Sequence, residues 1–433
     1  MAMDGKELVE KLAKLSQVQS IKDIPHLTHA LFPGTHCPLM GAAMAVGGIK
    51  DSLIVVVGTD ECTYYTKSMT IHSEKFGGID GRCVSVVLDD HDVTFGSAEK
   101  VQEAFKEIIE EYRPQCVFLV TTCVIEIIGD DFDAISEGLS ELYGIPVLPV
   151  HTEHFKCEDH LPGLERTITV CAEMMKSCDC DNSVNLLGQR MGDFATTELY
   201  AMLQKAGVKI GLQLPCGCSV DDIKNAAAAK VNIVVNDIAL PLAQKMQEKF
   251  GIPYVYFNKF VIPEKIYEAY KNLFGYLELE LPGELEGLYQ NAREKIEKNK
   301  GELEGITYIY GNTPYAVFEM NCFLSSLGMV PQVIQTNRYT EADEPYAKEI
   351  LQYTDPYVCK AANIAPLQYV YDVLSPYLYL GHEFGNRLRQ KGIAIVHSDR
   401  ASGMLGFEVT GYLLQQLVKS VREAKEYRKE LGL

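Results

Sequence analysis

Apolar and polar positions along the chain follow one repeating order: a short apolar run, a turn, an amphipathic stretch and a second apolar run. The apolar runs are rich in β-branched residues and about four to eight residues long, which is typical of buried strands. The amphipathic stretches place apolar residues three and four positions apart, which predicts helices. The predicted strands are Ser52–Gly58, Arg82–Leu88, Gln115–Thr121, Ile145–Val150, Ser183–Gly188, Val208–Leu212, Val231–Val235, Ile252–Phe257, Gly305–Gly311, Met329–Gln335, Tyr377–Gly381 and Gly392–His397, and the predicted helices are Ser97–Tyr112, Asp133–Tyr143, Thr197–Ala206, Leu240–Phe250 and Tyr315–Leu327.

Three blocks of this kind follow one another along the chain. Apolar strands that are joined through helices form parallel sheets covered on both faces. We therefore predict an α/β protein of three doubly wound, Rossmann-like domains with parallel sheets, over residues 1–180, 181–300 and 301–433. The charged stretch 282–304 predicts an exposed helix between the second domain and the third.

Composition and charge narrow the class of protein. Of the 433 residues, 47% are hydrophobic and 23% are charged, which is typical of a globular protein. The 59 acidic and 40 basic side chains give a formal charge of −19, which disfavours nucleic acid and anionic membranes as partners. No apolar run approaches the roughly 18 residues of a membrane-spanning helix, and the first residues lack the apolar core of a signal peptide. We therefore expect a cytoplasmic protein.

The 13 cysteines are the most unusual feature of the composition. In a reducing compartment they favour metal binding or thiolate chemistry over disulfides. Cys37 lies in a turn that opens a helix of small residues, and Cys62 and Cys123 each follow a predicted strand. Because strand ends meet at one edge of a parallel sheet and helix starts favour thiolates, these three are candidate ligands of an iron–sulfur cluster or of zinc. The alternative is that all three are buried structural thiols.

The remaining cysteines are weaker candidates. Cys216 and Cys218 form a Cys-x-Cys pair in a Gly/Pro turn after a strand, and we consider them possible metal ligands. A second such pair, Cys178 and Cys180, lies in a polar linker and is less favoured. Cysteines within apolar segments are expected to be core residues; these are Cys83, Cys116, Cys171, Cys322 and Cys359.

Several segments together resemble one known family. The run Val120–Asp131 around Cys123 is similar to the segment around the third cluster cysteine of nitrogenase component 1 proteins. Cys37, with Gly41 after it, and Cys62 resemble the first and second cluster cysteines. The resemblance extends over nearly the whole chain, including the order of the three domains.

That family comprises nitrogenase catalytic subunits, cofactor-assembly scaffolds, dark-operative tetrapyrrole reductases and other nitrogenase-like reductases. The resemblance implies that Cys37, Cys62 and Cys123 bind an iron–sulfur cluster, either [4Fe–4S] or a larger P-cluster-like one. It further implies that a homologous subunit in an α2β2 assembly, or a second copy of the chain, completes the cluster. The electrons are then expected from a separate ATP-dependent iron–sulfur reductase.

Three further positions are judged by the same resemblance. The segment His151–Phe155 resembles the loop that closes the cluster pocket, which makes His154 a candidate beside the cluster. The segment Val231–Asn236 resembles the cofactor segment of the second domain, but Asn236 stands where catalytic subunits carry a cofactor-ligating cysteine. His397 lies near the position of the cofactor histidine and is a weaker candidate metal ligand.

We therefore predict an oxidoreductase: a subunit of a nitrogenase-like two-component reductase that passes electrons through its cluster to the interdomain cleft. The acceptor there is expected to be a substrate, a second metallocofactor or a tetrapyrrole. The alternative is a scaffold for metallocofactor assembly that turns over no substrate. A third hypothesis is that the chain is a zinc- or ligand-binding module without redox chemistry.

Overall fold

The computed structural model describes residues 4–27, 36–71, 82–157, 159–190, 192–258, 260–311, 313, 316–360 and 364–433. The strands are β1 (Ala13–Lys14), β2 (Ile49–Lys50), β3 (Ser52–Gly58), β4 (Cys83–Val87), β5 (Cys116–Thr121), β6 (Val147–Val150), β7 (Val184–Gln189), β8 (Ile210–Pro215), β9 (Cys218–Ser219), β10 (Val231–Val234), β11 (Tyr254–Tyr256), β12 (Thr307–Tyr310), β13 (Val330–Gln335), β14 (Tyr357–Cys359), β15 (Leu378–Leu380) and β16 (Ala394–Val396). The helices are α1 (Gly5–Glu10), α2 (Pro38–Gly47), α3 (Asp60–Ile71), α4 (Asp90–Phe95), α5 (Ala98–Tyr112), α6 (Cys123–Ile128), α7 (Phe132–Tyr143), α8 (Leu161–Val170), α9 (Glu198–Lys205), α10 (Val220–Lys224), α11 (Leu240–Phe250), α12 (Pro263–Leu277), α13 (Leu285–Leu303), α14 (Val317–Ser326), α15 (Glu344–Ile350), α16 (Ile364–Leu374), α17 (Gly385–Arg389) and α18 (Glu408–Leu431).

The larger sheets of the described chain are built from parallel strands. The first has the order β4-β3-β5-β6, and the second has the order β11-β10-β7-β8. The third has the order β14-β13-β12-β15-β16, with β1 added antiparallel beside β14. Parallel neighbours require crossover connections, and helices supply them. The predicted α/β architecture is therefore confirmed.

The first sheet is buried on both faces. In β3, Leu53 and Val55 pack into the core on one face, whereas Ile54 and Val56 pack into the core on the other face. Successive side chains of a strand point to opposite faces, so a strand with two covered faces needs an uninterrupted apolar run. This is why the sequence pattern identified β3 and its neighbour β5 so directly.

The N-terminal segment packs on the third sheet. Ala13 and Lys14 pair with β14, and Leu8 and Leu12 are buried in the same core as residues of β12 and β13. The sequence analysis predicts a first domain over residues 1–180, and the pairing of the N-terminal segment with the third sheet has no local signal in the sequence. The reason is that a two-residue strand has no readable period, and its pairing is with residues more than 300 positions later in the chain.

Helices α2 and α8 pack against each other at the junction of the first and second sheets. A Cβ atom on Gly41 would lie 1.9 Å from the carbonyl oxygen of His160, and one on Gly163 would lie 1.8 Å from that of Pro38. These glycines therefore permit a close backbone approach that any side chain would prevent. Residues of both sheets share the core around these two helices.

The charged stretch 282–304 forms helix α13, as predicted, and this helix packs on α12 and α18. Leu285, Ala292 and Leu303 are its buried residues. In the part of the chain that the structure describes, no helix combines the length and apolar character required to cross a membrane.

Candidate functional site

Three cysteines lie at the carboxyl edge of the first sheet. Cys123 begins α6 directly after β5, and Cys62 lies in the first turn of α3 after β3. Cys37 is the residue that caps the start of α2. All three are partly buried free thiols. The parallel register of β3 and β5 brings their ends together, so two residues that are 61 positions apart in sequence reach the same edge.

Helix α2 packs on α3, and the three thiols lie close enough for their charges to interact. Burial raises the pKa of the Cys123 thiol, and the nearby Cys62 and Cys37 thiols raise it further because like charges would repel. The backbone N–H groups of Val124 and Cys123 act in the opposite direction and stabilise a thiolate. We refer to Cys37, Cys62 and Cys123 together as the thiol edge.

The thiol edge fits an iron–sulfur cluster in its donor chemistry. Each cysteine lies at the start of a helix, and cysteine sulfurs are the ligands that hold iron–sulfur clusters. Thr59 Oγ1 also donates a hydrogen bond to Cys62 Sγ at 3.5 Å. Among the described residues, no three His, Cys, Asp or Glu side chains are arranged to hold one metal ion. A cluster does not require that arrangement, because its thiolates bind different irons.

Glu126 organises the loop that borders the thiol edge. Its Oε1 accepts hydrogen bonds from Thr121 Oγ1 at 2.7 Å, Thr152 Oγ1 at 3.2 Å and the Glu153 N–H at 2.6 Å. It therefore ties the end of β5, helix α6 and the segment after β6 together. Arg166 of α8 supports the same loop by donating to the carbonyl oxygen of Thr152 at 2.6 Å.

Asp130 and Asp131 have local structural roles. Asp130 Oδ2 accepts hydrogen bonds from the backbone N–H and the hydroxyl of Ser97 at 2.7 and 2.5 Å. Asp131 caps α7 by accepting from the N–H of Ala134 at 3.0 Å. Neither contact involves the thiol edge.

His154 is exposed, and its ring lies edge-on against the exposed ring of Phe155. The structure assigns it no contact with the thiol edge among the described residues. Its place after β6, at the same carboxyl edge of the sheet, keeps it in the region where the sequence predicted a role.

Large apolar side chains are exposed around the thiol edge. Tyr64 and Tyr65 follow Cys62 on α3, and Ile127 follows Cys123 on α6. Phe95, at the end of the neighbouring helix α4, is also exposed, as is Phe155. A group of exposed large apolar side chains is a candidate interaction surface.

A second group of polar residues lies where the first, second and third sheets meet. Arg338 follows β13, and its guanidinium lies 3.8 Å from Glu165 of α8 and 3.5 Å from Asp237, which follows β10. Arg190 follows β7, and Cys216 follows β8, so both lie at the carboxyl edge of the second sheet. We call this region the cleft.

The structure separates the two cysteines of the Cys-x-Cys pair. Cys216 lies in the cleft, and its thiol donates to the carbonyl oxygen of Arg190 at 3.2 Å. Cys218 is only 1% exposed, and burial raises the pKa of its thiol to about 12. The prediction that Cys218 is a metal ligand therefore concerns a thiol in the core, whereas Cys216 is the cysteine of the pair that reaches the cleft.

The structure places the remaining candidate residues of the sequence analysis in different surroundings. Asn236 is buried and caps the turn after β10 by accepting from the N–H of Ile238 at 3.2 Å. His397 is exposed after β16, and no described contact joins it to the cleft. Cys178 and Cys180 are exposed in the linker. The five cysteines expected in the core are all buried: Cys83, Cys116, Cys171, Cys322 and Cys359.

Sequence reasoning missed Arg190 and His160 in the cleft. Burial lowers the pKa of the Arg190 guanidinium and lowers that of the His160 imidazole to about 4. Arg190 Nε and His160 Nδ1 are both buried and have no hydrogen-bond partner among the described residues. An arginine directly at the carboxyl end of an apolar parallel strand was the available signal for Arg190.

Residues 37–422 match the family described as nitrogenase component 1 type oxidoreductase, and the chain belongs to this family. The nitrogenase iron-molybdenum cofactor biosynthesis protein NifE of Clostridium pasteurianum is 31% identical over 224 residues, 51% of this chain and 49% of that protein. The protein of the same name from Rippkaea orientalis is 25% identical over 331 residues, 73% of this chain and 69% of that protein. The nitrogenase molybdenum-iron protein alpha chain of Methanosarcina barkeri is 25% identical over 309 residues, 68% of this chain and 58% of that protein. The chain thus spans about half the length of the Clostridium protein and more of the other two.

The fold is also similar to a solved structure. Nitrogenase Cp1 at pH 6.5 superimposes with a TM-score of 0.76 at 15% identity, covering 92% of this chain and 94% of that chain. At this identity the likeness concerns the fold alone.

Proposed function

We propose that this chain is the cluster-carrying subunit of a nitrogenase-like two-component reductase, and that Cys37, Cys62 and Cys123 hold its iron–sulfur cluster. The observation that carries the proposal is the convergence of these thiols: the parallel register of β3 and β5 brings Cys62 and Cys123 to one edge, and Cys37 caps α2, which packs on α3. When bound, such a cluster supplies a reversible one-electron carrier. Electrons are expected from an ATP-dependent iron–sulfur reductase, as in the family that the chain belongs to.

A partner subunit would complete the site. The thiol edge has three thiols, one fewer than the four thiolates that usually hold a [4Fe–4S] cluster. The exposed apolar side chains around it, with Ile127 71% exposed and Tyr64 65% exposed, offer a surface that a second subunit would bury. A homologous subunit, or a second copy of the chain, would therefore supply both the covering surface and the missing ligand.

Helix α2 connects the thiol edge with the cleft. Cys37 caps its start, and at its other end the carbonyl oxygen of Gly48 accepts a hydrogen bond from the N–H of Gly217 at 3.2 Å. Gly217 is the residue directly after Cys216. The helix has 10 residues, so the two regions are separated by about 15 Å of rigid, buried helix. This arrangement supports electron transfer from a cluster at the thiol edge to an acceptor in the cleft.

The test is the iron and acid-labile sulfide content of protein purified without oxygen, with EPR spectra before and after dithionite. We expect several irons per chain and a reducible signal. Cys123→Ala should lose most of the iron and the signal, whereas Cys178→Ala, which removes an exposed thiol from the linker, should keep both. If Cys123→Ala retains full iron and sulfide, the thiol edge is not the cluster site.

A second candidate function is a scaffold that holds a metallocofactor during its assembly. Two observations favour it: relatives named as cofactor biosynthesis proteins, and a buried, capping Asn236 at the end of β10, where the resemblance places a cofactor-ligating cysteine in catalytic subunits. A scaffold must release its metallocofactor, and fewer protein ligands to the cofactor make that release easier. Loading the protein with 57Fe and incubating it with a cofactor-free nitrogenase component 1 distinguishes the two. A scaffold passes iron from the cleft to the acceptor, and a reductase subunit retains it.

A further inference from the structure

Among the residues that the structure describes, none forms an ion pair with the Arg190 side chain, which lies in the cleft. Its Nε has no contact with solvent and no hydrogen-bond partner among the described residues. Asp237 and Asp159 act on its pKa, but neither forms an ion pair with it. Arg190 as a whole is only partly buried, but its shielded Nε loses hydration that no partner among the described residues replaces, and this loss is costly.

The carboxylates near Arg190 are engaged elsewhere. Asp237 lies 3.5 Å from the guanidinium of Arg338. Asp159 accepts a hydrogen bond from the N–H of Leu161 at 2.9 Å. Among the described residues, these two carboxylates therefore contact Arg338 and the start of α8, and neither pairs with Arg190.

The imidazole of His160 is a second group near Arg190 with a buried nitrogen that lacks a hydrogen-bond partner among the described residues. His160 belongs to the segment that begins α8. Arg190 and His160 influence each other electrostatically, so the two groups belong to one site although they come from different sheets' domains. A guanidinium and an imidazole N–H together are donors that suit a group with several acceptor oxygens.

We propose that Arg190 and His160 bind an anionic oxygen group, a carboxylate or a phosphate, carried by the molecule that occupies the cleft. This rests on the proposed function in one respect, namely that the cleft is where the chain receives a ligand. The planar guanidinium presents its N–H groups as a fork that matches a carboxylate or a phosphate. His160, in the tautomer with a proton on Nδ1, donates the second contact. The anion supplies the counter-charge that Arg190 lacks.

The test follows the thermal unfolding of the full chain, purified without oxygen, at constant ionic strength. Inorganic phosphate and succinate are titrated separately against a chloride reference, so that the phosphate and carboxylate sources are distinguished. We expect one of them to raise the unfolding temperature of the wild type in a saturable manner. Arg190→Met should abolish this rise. Arg293→Met, which removes an exposed arginine that pairs loosely with Glu264 at 3.7 Å, should leave it intact.

Stability without added anion is the second readout. Without an anion, the unpaired charge of Arg190 lowers the stability of the folded chain. Arg190→Met should therefore unfold at a higher temperature than the wild type when no anion is present. A structural arginine would behave in the opposite way, and a lower unfolding temperature with an unchanged anion response would overturn the proposal. So would the absence of any saturable response in the wild type. If Arg190→Met does not fold, Arg190→Lys is used instead, because it keeps the charge but lacks the forked N–H groups of the guanidinium. Arg190→Lys should require at least tenfold more anion for the same rise in unfolding temperature.

Variants of the thiol edge and of the cleft distinguish failure of this proposal from failure of the proposed function. Cys123→Ala should lose iron but keep the anion response, and Arg190→Met should keep the EPR signal of the thiol edge. Failure of the first proposal therefore shows in the iron content and the spectrum. Failure of the second shows in the unfolding temperature.

Discussion

Glu319 is a carboxyl group that the fold holds almost without water. It lies in the first turn of α14 and is 4% exposed, and its Oε1 has no partner among the described residues. Burial raises its pKa from 4.5 to about 7, while Lys265 and a hydrogen bond from the Val261 backbone act in the opposite direction. No ion pair with Lys265 forms among the described residues, so the attraction does not cancel the cost of burial.

This environment makes the stability of the protein depend on pH. Between 4.5 and about 7 the folded chain keeps a proton on Glu319 that the unfolded chain has lost. The stabilisation is therefore complete below the lower value and is lost as the pH rises to the higher one. Glu319→Gln should raise the free energy of unfolding by up to about 3 kcal/mol at about pH 8 and change it little at about pH 5.

Urea unfolding of both proteins across this range measures the effect. Glu137→Gln, at an exposed position on α7, serves as the control and should follow the wild type at every pH. An equal effect of Glu319→Gln at both ends of the range would mean that Glu319 stays ionised in the folded chain.

At the scale of elements, helix α2 determines how the thiol edge is placed. It is buried along nearly its whole length and packs so closely on α8 that Gly41 faces the carbonyl oxygen of His160. Because Cys37 caps this helix, a change in the spacing of α2 and α8 displaces Cys37 relative to Cys62 and Cys123. The placement of the three proposed ligands thus depends on a contact between helices that includes none of their side chains.

Gly41→Ala tests this dependence. The new methyl group would lie 1.9 Å from a backbone oxygen, so the helices must separate, and we expect a loss of about 1–3 kcal/mol in the free energy of unfolding. The iron content should fall as well, since the three thiols are no longer in register. Chemical denaturation and iron analysis measure the two effects.

The matched control is Gly138→Ala on α7, where an added methyl group meets nothing within 4 Å. This change should stabilise the helix by about 0.5–1 kcal/mol and leave iron unchanged. A Gly41→Ala protein with normal iron would show that the position of Cys37 does not depend on the α2–α8 spacing.

At the scale of the whole molecule, the exposed apolar side chains around the thiol edge form the surface that we propose a partner subunit covers. A partner that covers this surface would also exclude water from the cluster. Ile127→Asp places a charge in its centre without disturbing the core, because the side chain is 71% exposed. We expect assembly to be lost and the single chain to remain folded, as measured by analytical ultracentrifugation and circular dichroism.

Leu142→Asp is the control for that experiment. Leu142 is also 71% exposed, but it lies at the end of α7, away from the carboxyl edge of the first sheet. Assembly should survive this change. Loss of assembly in both variants would place the interface elsewhere or indicate a general effect of added charge.

Much of this architecture was predictable from the sequence, for local reasons. The strands β3 and β5 could be recognised because burial on both faces demands an uninterrupted apolar run. The thiol edge followed from the same pattern, since Cys62 and Cys123 stand directly after such strands and parallel strands end at a common edge. The core positions of Cys116 and Cys359 were predictable because they lie inside apolar segments.

Other features depend on contacts between distant parts of the chain. Cys216 and Cys218 look equivalent in sequence, but the pairing of β9 with β2 buries one and leaves the other in the cleft. The pairing of the N-terminal segment with β14 has no local signature either.

The amino-acid sequence thus determined the parallel sheets, the thiol edge and the family, because each depends on residue type and spacing within short segments. Among the described residues, Arg190 has no ion pair, and Asp237 near it is engaged by Arg338, which follows a strand of another sheet. Only the tertiary structure reveals such a cation, because whether a charge is paired or buried depends on three segments meeting in space, and no local pattern encodes that meeting.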